Sequence, residues 1–348
     1  MSANTYRTMV FLLAIFVLVH MILLSPDLWS HSHSRTNLAL RGLHILFDHS
    51  RTADTGEITS VEDIKNLESF QESMKKHIEV SCKKLSLETN VTKLNRQVLR
   101  HSRILVNDKH KLLYCQVAKV ASTTWRRIFI ALSDKVDIAD LMTISANDAH
   151  HKYKEVLTNL RDLQDDQIAY RIKNYYKFVF VREPFGRLLS AFRNKFEVHT
   201  NASRYFNKSF GRKIIKRYRR YSPTTNSSAD VKFEEFIRYL IDAKRRIQMN
   251  EHWEKIAELC YPCQISYDFI GKLETFSKDA RYILMKNSLS EKVKIPSRSE
   301  SRYGNYETNS LLAQYYSLLP RDVLKRLYST YIPDFTLFQY SIPDVIKF

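Results

Sequence analysis

The pattern of apolar and polar positions divides this chain of 348 residues into distinct stretches. Residues 9–24 form one uncharged apolar run, and residues 25–59 are largely polar and without a clear period. From Val61 onward, the apolar residues Ile64, Leu67, Met74 and Ile78 recur at three-, four- and seven-residue steps. This spacing predicts an amphipathic helix, which either opens the folded domain or pairs with a second subunit in a homodimer.

Short apolar runs alternate with helical patterns through the rest of the chain. LLYCQVA at 112–118 is followed by TTWRRIFIAL, and YYKFVFV at 175–181 is followed by FGRLLSAFRNKF. The alternation predicts an α/β domain, with a central parallel sheet flanked by helices. Ligands of such domains bind beyond the carboxyl ends of the strands, so the residues that follow each run are the first candidates for a site.

The apolar run at 9–24 is slightly shorter than the roughly 20 residues that cross a typical bilayer. A cleaved signal peptide is the alternative, but the following SPDLWSHSHS offers no clear cleavage site with small residues. We therefore expect an uncleaved transmembrane helix, with Arg7 keeping residues 1–8 in the cytosol and the remainder in a lumen. Residues 25–74 then form a stem, and residues 75–348 form the main domain.

The formal net charge of +18 indicates an anionic partner, such as a nucleic acid, an anionic membrane, an acidic polysaccharide or a nucleotide. Glycosylation sequons at Asn90, Asn201, Asn207 and Asn226 fit a lumenal chain and count against nucleic acid. Residues 208–220 hold seven Lys or Arg and no acid. That segment suits either a solvated helix face or a surface for a polyanionic glycan.

The four cysteines, Cys82, Cys115, Cys260 and Cys263, all follow the apolar run. An even number in an oxidising lumen predicts two disulfides, for which three pairings are open. The spacing of Cys260 and Cys263 also occurs in zinc and redox sites, but no second ligand pair at similar spacing is present. We predict structural disulfides and no metal.

The first strand-to-helix junction carries one cation and three hydroxyl residues, because Lys119 is followed by Ser122, Thr123 and Thr124. The free N–H groups and the dipole at a helix start suit an anion. The alternative is that the hydroxyl groups merely cap the helix beside a solvated lysine. The six glycines of the chain all lie elsewhere, so the GxxxxGK[ST] loop of nucleotide triphosphatases is absent.

The second junction is also basic. Arg182 and Glu183 precede Pro184 at the predicted helix start, and Ser190 follows about two turns into that helix. Arginine suits bidentate contact with phosphate, and a hydroxyl group adds a further donor. Two anion sites at adjacent strand ends predict one ligand that carries phosphates at both ends.

These segments resemble those of a known family. KVASTTWRR is similar to the 5′-phosphosulfate loop of the Golgi carbohydrate sulfotransferases, and FVREPFGRLLSAFRNKF is similar to their 3′-phosphate motif. The match is to the group that contains the chondroitin and dermatan 4-O-sulfotransferases, and segments at 250–275, 315–316 and 327–340 extend it over roughly residues 75–342. The chain departs from the family pattern at Ala118, Ala121, Ser122, Thr124 and Glu183, and Gln339 stands where glycine is usual.

The resemblance implies a P-loop-like sulfotransferase fold for the predicted catalytic domain, and 3′-phosphoadenosine 5′-phosphosulfate as the donor, without a metal. It assigns Lys119 as a catalytic residue that neutralises the leaving group. The residues implied to hold the donor are Lys119, Val120, Ala121, Ser122, Thr123, Thr124, Trp125, Arg182 and Ser190. His252, in the family-like segment NEHWEKI, is our candidate for the general base, with Glu183 and His199 as alternatives.

The resulting hypothesis is a single-pass type II enzyme of the Golgi membrane that sulfates an acidic glycosaminoglycan or another glycan. The expected acceptor is the 4-position of N-acetylgalactosamine in chondroitin. The competing hypothesis is a non-catalytic lumenal glycan-binding protein that retains the fold, and the intact Lys119, Arg182 and Ser190 argue against it.

Overall fold

The computed structural model describes residues 60–138, 140–198, 200–219, 230–296 and 308–346. The predicted cytosolic tail, the membrane anchor at 9–24 and the stem up to residue 59 lie outside these ranges. Within the described ranges, no helix is long and apolar enough to cross a bilayer.

The described part of the chain contains five strands and twelve α-helices. The strands are β1 (Ile104–Asn107), β2 (Leu112–Cys115), β3 (Thr158–Asn159), β4 (Tyr176–Val181) and β5 (Phe269–Lys272). The helices are α1 (Val61–Lys84), α2 (Ser122–Ala131), α3 (Ala146–His150), α4 (Asp165–Asn174), α5 (Pro184–Phe192), α6 (Asn201–Phe206), α7 (Arg212–Tyr218), α8 (Phe233–Ile241), α9 (Ile256–Cys260), α10 (Phe276–Lys286), α11 (Thr308–Tyr316) and α12 (Arg321–Leu337). Two π-helical turns, Arg193–Glu197 and Asn207–Gly211, follow α5 and α6.

The five strands form one sheet in the order β3-β1-β2-β4-β5. Strands β2, β4 and β5 are parallel, whereas β1 is antiparallel to both β2 and β3. The prediction of an α/β domain with a central sheet and flanking helices is confirmed, and the predicted parallel pairing holds for β2, β4 and β5 but not for β1 and β3. A tight turn joins β1 to β2, and a connection this short can only produce an antiparallel pair.

The two predicted strand-helix units are confirmed and lie side by side. Strand β2 pairs with β4 so that Cys115 is opposite Val179, which brings the carboxyl ends of both strands to the same edge of the sheet. The apolar side chains Trp125, Ile128 and Phe129 of α2 are buried, and the Trp125 ring lies 4.5 Å from the ring of Phe178. This packing fixes the start of α2 against the sheet.

Helix α1 confirms the amphipathic pattern, because Met74 and Ile78 are buried within the domain. Its Gln71 side chain donates to the carbonyl of Ile270 at 3.1 Å and accepts from the N–H of Ile270 at 2.9 Å, so it completes the hydrogen bonding of edge strand β5. The helix runs across residue 74, where the sequence places the boundary between stem and catalytic domain.

Both predicted disulfides are present, with the pairings Cys82–Cys263 and Cys115–Cys260. The first joins α1 to the segment after α9, and the second joins the end of β2 to the end of α9. Cys260 and Cys263 thus belong to different bridges. The described residues contain no group of side chains suited to a metal ion.

Candidate active site

The loop between β2 and α2 turns without glycine because two non-glycine residues adopt left-handed backbone conformations. Lys119 has a φ of 71° and Ala121 a φ of 50°. Each such residue costs on the order of 1–3 kcal/mol, and strain of this kind concentrates at ligand-binding sites. Turns that include left-handed residues can also direct successive N–H groups into one concavity that suits an anion.

The start of α2 is not capped by any side chain. Its N-cap residue is Ala121, and Ser122, Thr123 and Thr124 lie inside the first turn. The alternative, in which these hydroxyl groups merely cap the helix, therefore does not hold. The carbonyl of Ala121 accepts from the N–H groups of Thr124 and Trp125, so those of Ser122 and Thr123 are left for an external anion.

Arg182 brings the second junction into contact with the first. Its Nη1 donates to the carbonyl oxygen of Lys119 at 3.3 Å. The next residue, Glu183, caps α5 by accepting from the N–H groups of Phe185 at 2.9 Å and Gly186 at 2.5 Å, and burial raises its pKa to about 7. Every residue of α5 is buried except Ser190. The predicted pair of basic strand ends thus forms one continuous surface.

The electrostatics of this surface favour an anion. Burial, followed by the charge of Arg182, lowers the pKa of Lys119 to about 7. Two cations held this close together repel each other, and a bound anion would relieve the repulsion. The two junctions therefore fit a ligand with negative groups at two positions, as the donor proposed from the sequence has.

His252 lies close enough to Lys119 for the charge of Lys119 to influence its pKa. Its Nδ1 is 2.6 Å from Oδ1 of Asn250, which favours the tautomer that carries the proton on Nδ1 and leaves Nε2 able to accept one. Burial, followed by the charges of Lys195 and Lys119, lowers the pKa of His252 well below its ordinary value. The imidazole is therefore neutral near pH 7 in the absence of ligand.

Two further residues belong to this site and were missed from the sequence. Lys195 lies in the π-helical turn after α5 with only 9% of its surface exposed, and its Nζ is 4.5 Å from the ring centroid of Phe206. The same ring makes an edge contact with His252, at 5.2 Å between centroids. Burial, followed by the charge of Lys119, lowers the pKa of Lys195 to about 8.

The second missed residue is His150, at the end of α3. Its Nε2 lies 3.4 Å from Oγ1 of Thr123. Burial, followed by the charge of Arg126, lowers the pKa of His150 to about 4, so it is neutral near pH 7. Neither residue gives a local sequence signal, since a π-helical turn and the approach of α3 are not visible as hydrophobic periodicity.

Other predicted positions contribute less than the sequence suggests. The side chains of Val120 and Trp125 are fully buried in the core, so only their backbone can contact a ligand. In the basic segment, Arg217 pairs with Asp242 and Arg219 pairs with Glu235. His199 and Arg220 lie outside the described residues.

What remains of the basic segment is a smaller exposed group, which we call the cationic surface. Its members are Lys208, Arg212, Lys213 and Lys216. They lie on the second π-helical turn and on α7, in a helical stretch that begins near Phe206 and so starts beside Lys195 and His252.

Comparisons with known proteins show which family the sequence is similar to. A model of the sulfotransferase family matches residues 102–341. Carbohydrate sulfotransferase 11 of Mus musculus is 40% identical over 72% of this chain and 69% of its own length. Carbohydrate sulfotransferase 9 of Homo sapiens is 38% identical over 80% of this chain and 62% of its own length. Carbohydrate sulfotransferase 14 of Homo sapiens is 38% identical over 72% of this chain and 63% of its own length. No solved structure matches the chain significantly.

Proposed function

We propose a specific reaction for this chain, which belongs to the sulfotransferase family, in the group of Golgi carbohydrate sulfotransferases. The chain transfers a sulfuryl group from 3′-phosphoadenosine 5′-phosphosulfate to the 4-hydroxyl of N-acetylgalactosamine in chondroitin. The observation that carries this proposal is the strained, uncapped loop at Lys119 in contact with Arg182. A loop with a strained backbone, followed by a helix whose first N–H groups are not capped by a side chain, is suited to binding an anion.

The residues of the two junctions divide the work of holding the donor. When bound, the donor supplies an activated sulfuryl group whose leaving group is a phosphate. Lys119 and the N–H groups of Ser122 and Thr123 hold the 5′-phosphosulfate, and Lys119 stabilises the charge that develops on the leaving oxygen. Arg182 and Ser190 hold the 3′-phosphate at the other end.

His252 is our candidate to take the proton from the acceptor hydroxyl. Its low pKa, caused mainly by burial, makes it a weak base in the free protein, and an anionic donor would raise that pKa in part by offsetting the smaller contributions of Lys195 and Lys119. Glu183 suits the role less, because both of its carboxyl oxygens accept from N–H groups of α5. His199 stays an alternative.

A pH-rate profile tests the role of His252. His252→Gln should lose the acidic limb of the profile, because no group is then left whose protonation blocks the reaction. His150→Gln is the matched control, since His150 is also neutral and lies beside Thr123. An acidic limb that persists in His252→Gln would exclude His252 as the base.

The cationic surface is our proposed binding site for the acceptor. A chondroitin chain carries a carboxylate in each disaccharide, and a row of exposed lysine and arginine side chains binds such a polyanion through release of counterions. The helical stretch of the cationic surface begins beside His252 and Lys195, so a chain bound there would pass the transfer site.

We place the enzyme in the Golgi membrane as a type II protein. In this arrangement residues 1–8 are cytosolic, residues 9–24 span the membrane, a stem follows from residue 25, and the lumenal catalytic domain includes α1, which packs on β5 through Gln71 and continues across the boundary at residue 74. The apolar run at 9–24 and the sequons support this topology.

The test is a transfer assay with the full-length chain. Membranes that contain wild type or Lys119→Met are incubated with radiolabelled donor and a panel of desulfated chondroitin, dermatan, heparosan and N-glycans, followed by disaccharide analysis. Label on the 4-position of N-acetylgalactosamine, absent with Lys119→Met, is the expected result. Label on another sugar would replace the acceptor, and tight donor binding without any transfer would favour the non-catalytic glycan-binding protein.

A further inference from the structure

Arg187 lies between Arg182 and Ser190 in the second motif, but its observed contacts are with the protein backbone. Its side chain is 1% exposed. Nε donates to the carbonyl of Ala118 at 3.2 Å, Nη1 to that of Glu254 at 2.6 Å and Nη2 to that of Glu251 at 3.0 Å. One guanidinium thus joins two segments that are far apart in sequence.

Both segments carry residues of the proposed chemistry. Ala118 directly precedes Lys119, and Glu251 and Glu254 flank His252. We infer that Arg187 is a positioning residue that fixes the loop of Lys119 relative to the segment of His252. This inference rests on the proposed function, because it concerns the distance between the two groups that act on the sulfuryl group and on the acceptor hydroxyl.

The chemistry of the guanidinium explains why arginine suits this position. Its N–H donors are arranged in a rigid planar fork, so three carbonyl groups from two directions can be satisfied at once. A lysine would present a single ammonium group on a flexible stem. Burial lowers the pKa of Arg187, and the nearby carboxylate of Asp334 opposes this effect by favouring the charged form.

Other contacts hold the second segment without reaching the first. The hydroxyl of Tyr331 donates to the carbonyl of Trp253, and Asp334 accepts from the N–H groups of Ile256 at 2.8 Å and Ala257 at 2.9 Å. These contacts would still order the second segment in an Arg187 variant. We therefore expect loss of Arg187 to loosen the registration between two segments that each remain folded.

The experiment compares Arg187→Ala and Arg187→Lys with two controls. Arg182→Ala removes a proposed donor contact, and Arg245→Lys alters another arginine whose described hydrogen bonds go to the backbone carbonyls of Leu240 and Asp242, outside both segments. For each protein kcat is measured, and binding of 3′-phosphoadenosine 5′-phosphate is measured by calorimetry. Guanidinium chloride at low millimolar concentration is then added to the alanine variants.

The expected result is a split between turnover and binding. Arg187→Ala should lose about 100-fold in kcat, the effect of a misplacement of about 1 Å, while the Kd for the nucleotide changes by no more than about threefold. Guanidinium should restore part of kcat in Arg187→Ala, whereas in Arg182→Ala any recovery should appear in Kd. Arg187→Lys should remain impaired, and Arg245→Lys should match wild type.

Unchanged kcat in Arg187→Ala, or a loss of nucleotide binding as large as in Arg182→Ala, would overturn the inference. If Arg187→Ala does not fold, the test relies on Arg187→Lys, and a kcat equal to that of wild type in this variant would contradict the positioning role. Hydrogen-deuterium exchange gives a readout without activity. Exchange should rise in Arg187→Lys at both 116–122 and 251–256, and a rise in only one would refute the coupling. Inactive wild type would reject the proposed function alone.

Discussion

The pKa of Lys119 makes donor binding depend on pH in a calculable way. Burial, followed by the charge of Arg182, lowers this pKa to about 7 in the absence of ligand. A bound phosphosulfate favours the ammonium form and raises the pKa. Lys119 is therefore already protonated at pH 6, and must take up a proton on binding at pH 8.

The size of the effect follows from the fraction of protein in the competent form. With a pKa of about 7, about 90% of Lys119 is protonated at pH 6 and about 10% at pH 8. If only the ammonium form binds, the apparent Kd rises about tenfold between these two values, or about 1.4 kcal/mol. Affinity is thus lost as the pH rises through the pKa of the free protein.

The assay is calorimetric titration with 3′-phosphoadenosine 5′-phosphate at pH 6 and pH 8, in buffers of different ionisation enthalpy. The ligand phosphates titrate too, so the useful quantity is the ratio of Kd values between wild type and Lys119→Arg, whose guanidinium stays charged. We expect this ratio to change about tenfold, with uptake of close to one proton at pH 8. An equal pH dependence in both proteins would refute the reasoning.

Three other outcomes follow from the described contacts. Lys195→Met should lower kcat about 100-fold because it removes a buried cation beside Lys119 and His252, and a change confined to acceptor KM would contradict this. Replacing Lys208, Arg212 and Lys216 of the cationic surface by glutamine should raise acceptor KM and reduce the slope of log KM against log salt by about 2. Unchanged acceptor kinetics would reject this surface as the acceptor-binding site. Replacing Cys115 and Cys260 by serine should lower the free energy of unfolding by about 4 kcal/mol, measured by urea titration, and a loss below about 1 kcal/mol would disagree.

The disulfide value takes account of the bridge that remains. The two bridges span 181 and 145 residues, and Cys115–Cys260 lies inside Cys82–Cys263. When Cys82–Cys263 is intact, it already brings the two ends of the chain close together. The additional loop closed by Cys115–Cys260 is then only as long as the difference between the two sequence separations. The entropy model then gives about 4 kcal/mol instead of about 5.

The backbone conformation of Gln339 shows the structural effect of one departure from the family pattern. The family usually has glycine there, and Gln339 has a φ of 52° just after α12. Left-handed backbone at a helix end is where glycine is favoured. The sequence shows the substitution, but only the backbone conformation shows that this chain accepts some strain at that point.

The sequence by itself determined the strand-helix alternation, the two basic junctions and the presence of two disulfides. These features are local, since a strand, the turn after it and the stripe of Trp125, Ile128 and Phe129 are set by residue types at fixed spacing. Cysteine number in an oxidising compartment is likewise a property of composition. The family resemblance rested on the same short segments.

The tertiary structure decided which groups meet. The antiparallel β1, the disulfide pairing, the left-handed Lys119 and the uncapped start of α2 depend on the whole sheet and on packing around it. Arg187 contacts a segment that is distant along the chain, and the pKa of Lys195 is lowered by burial and by the charge of the equally distant Lys119. Side-chain burial, and with it every pKa shift at this site, exists only once those segments are packed together, so no local pattern encodes it.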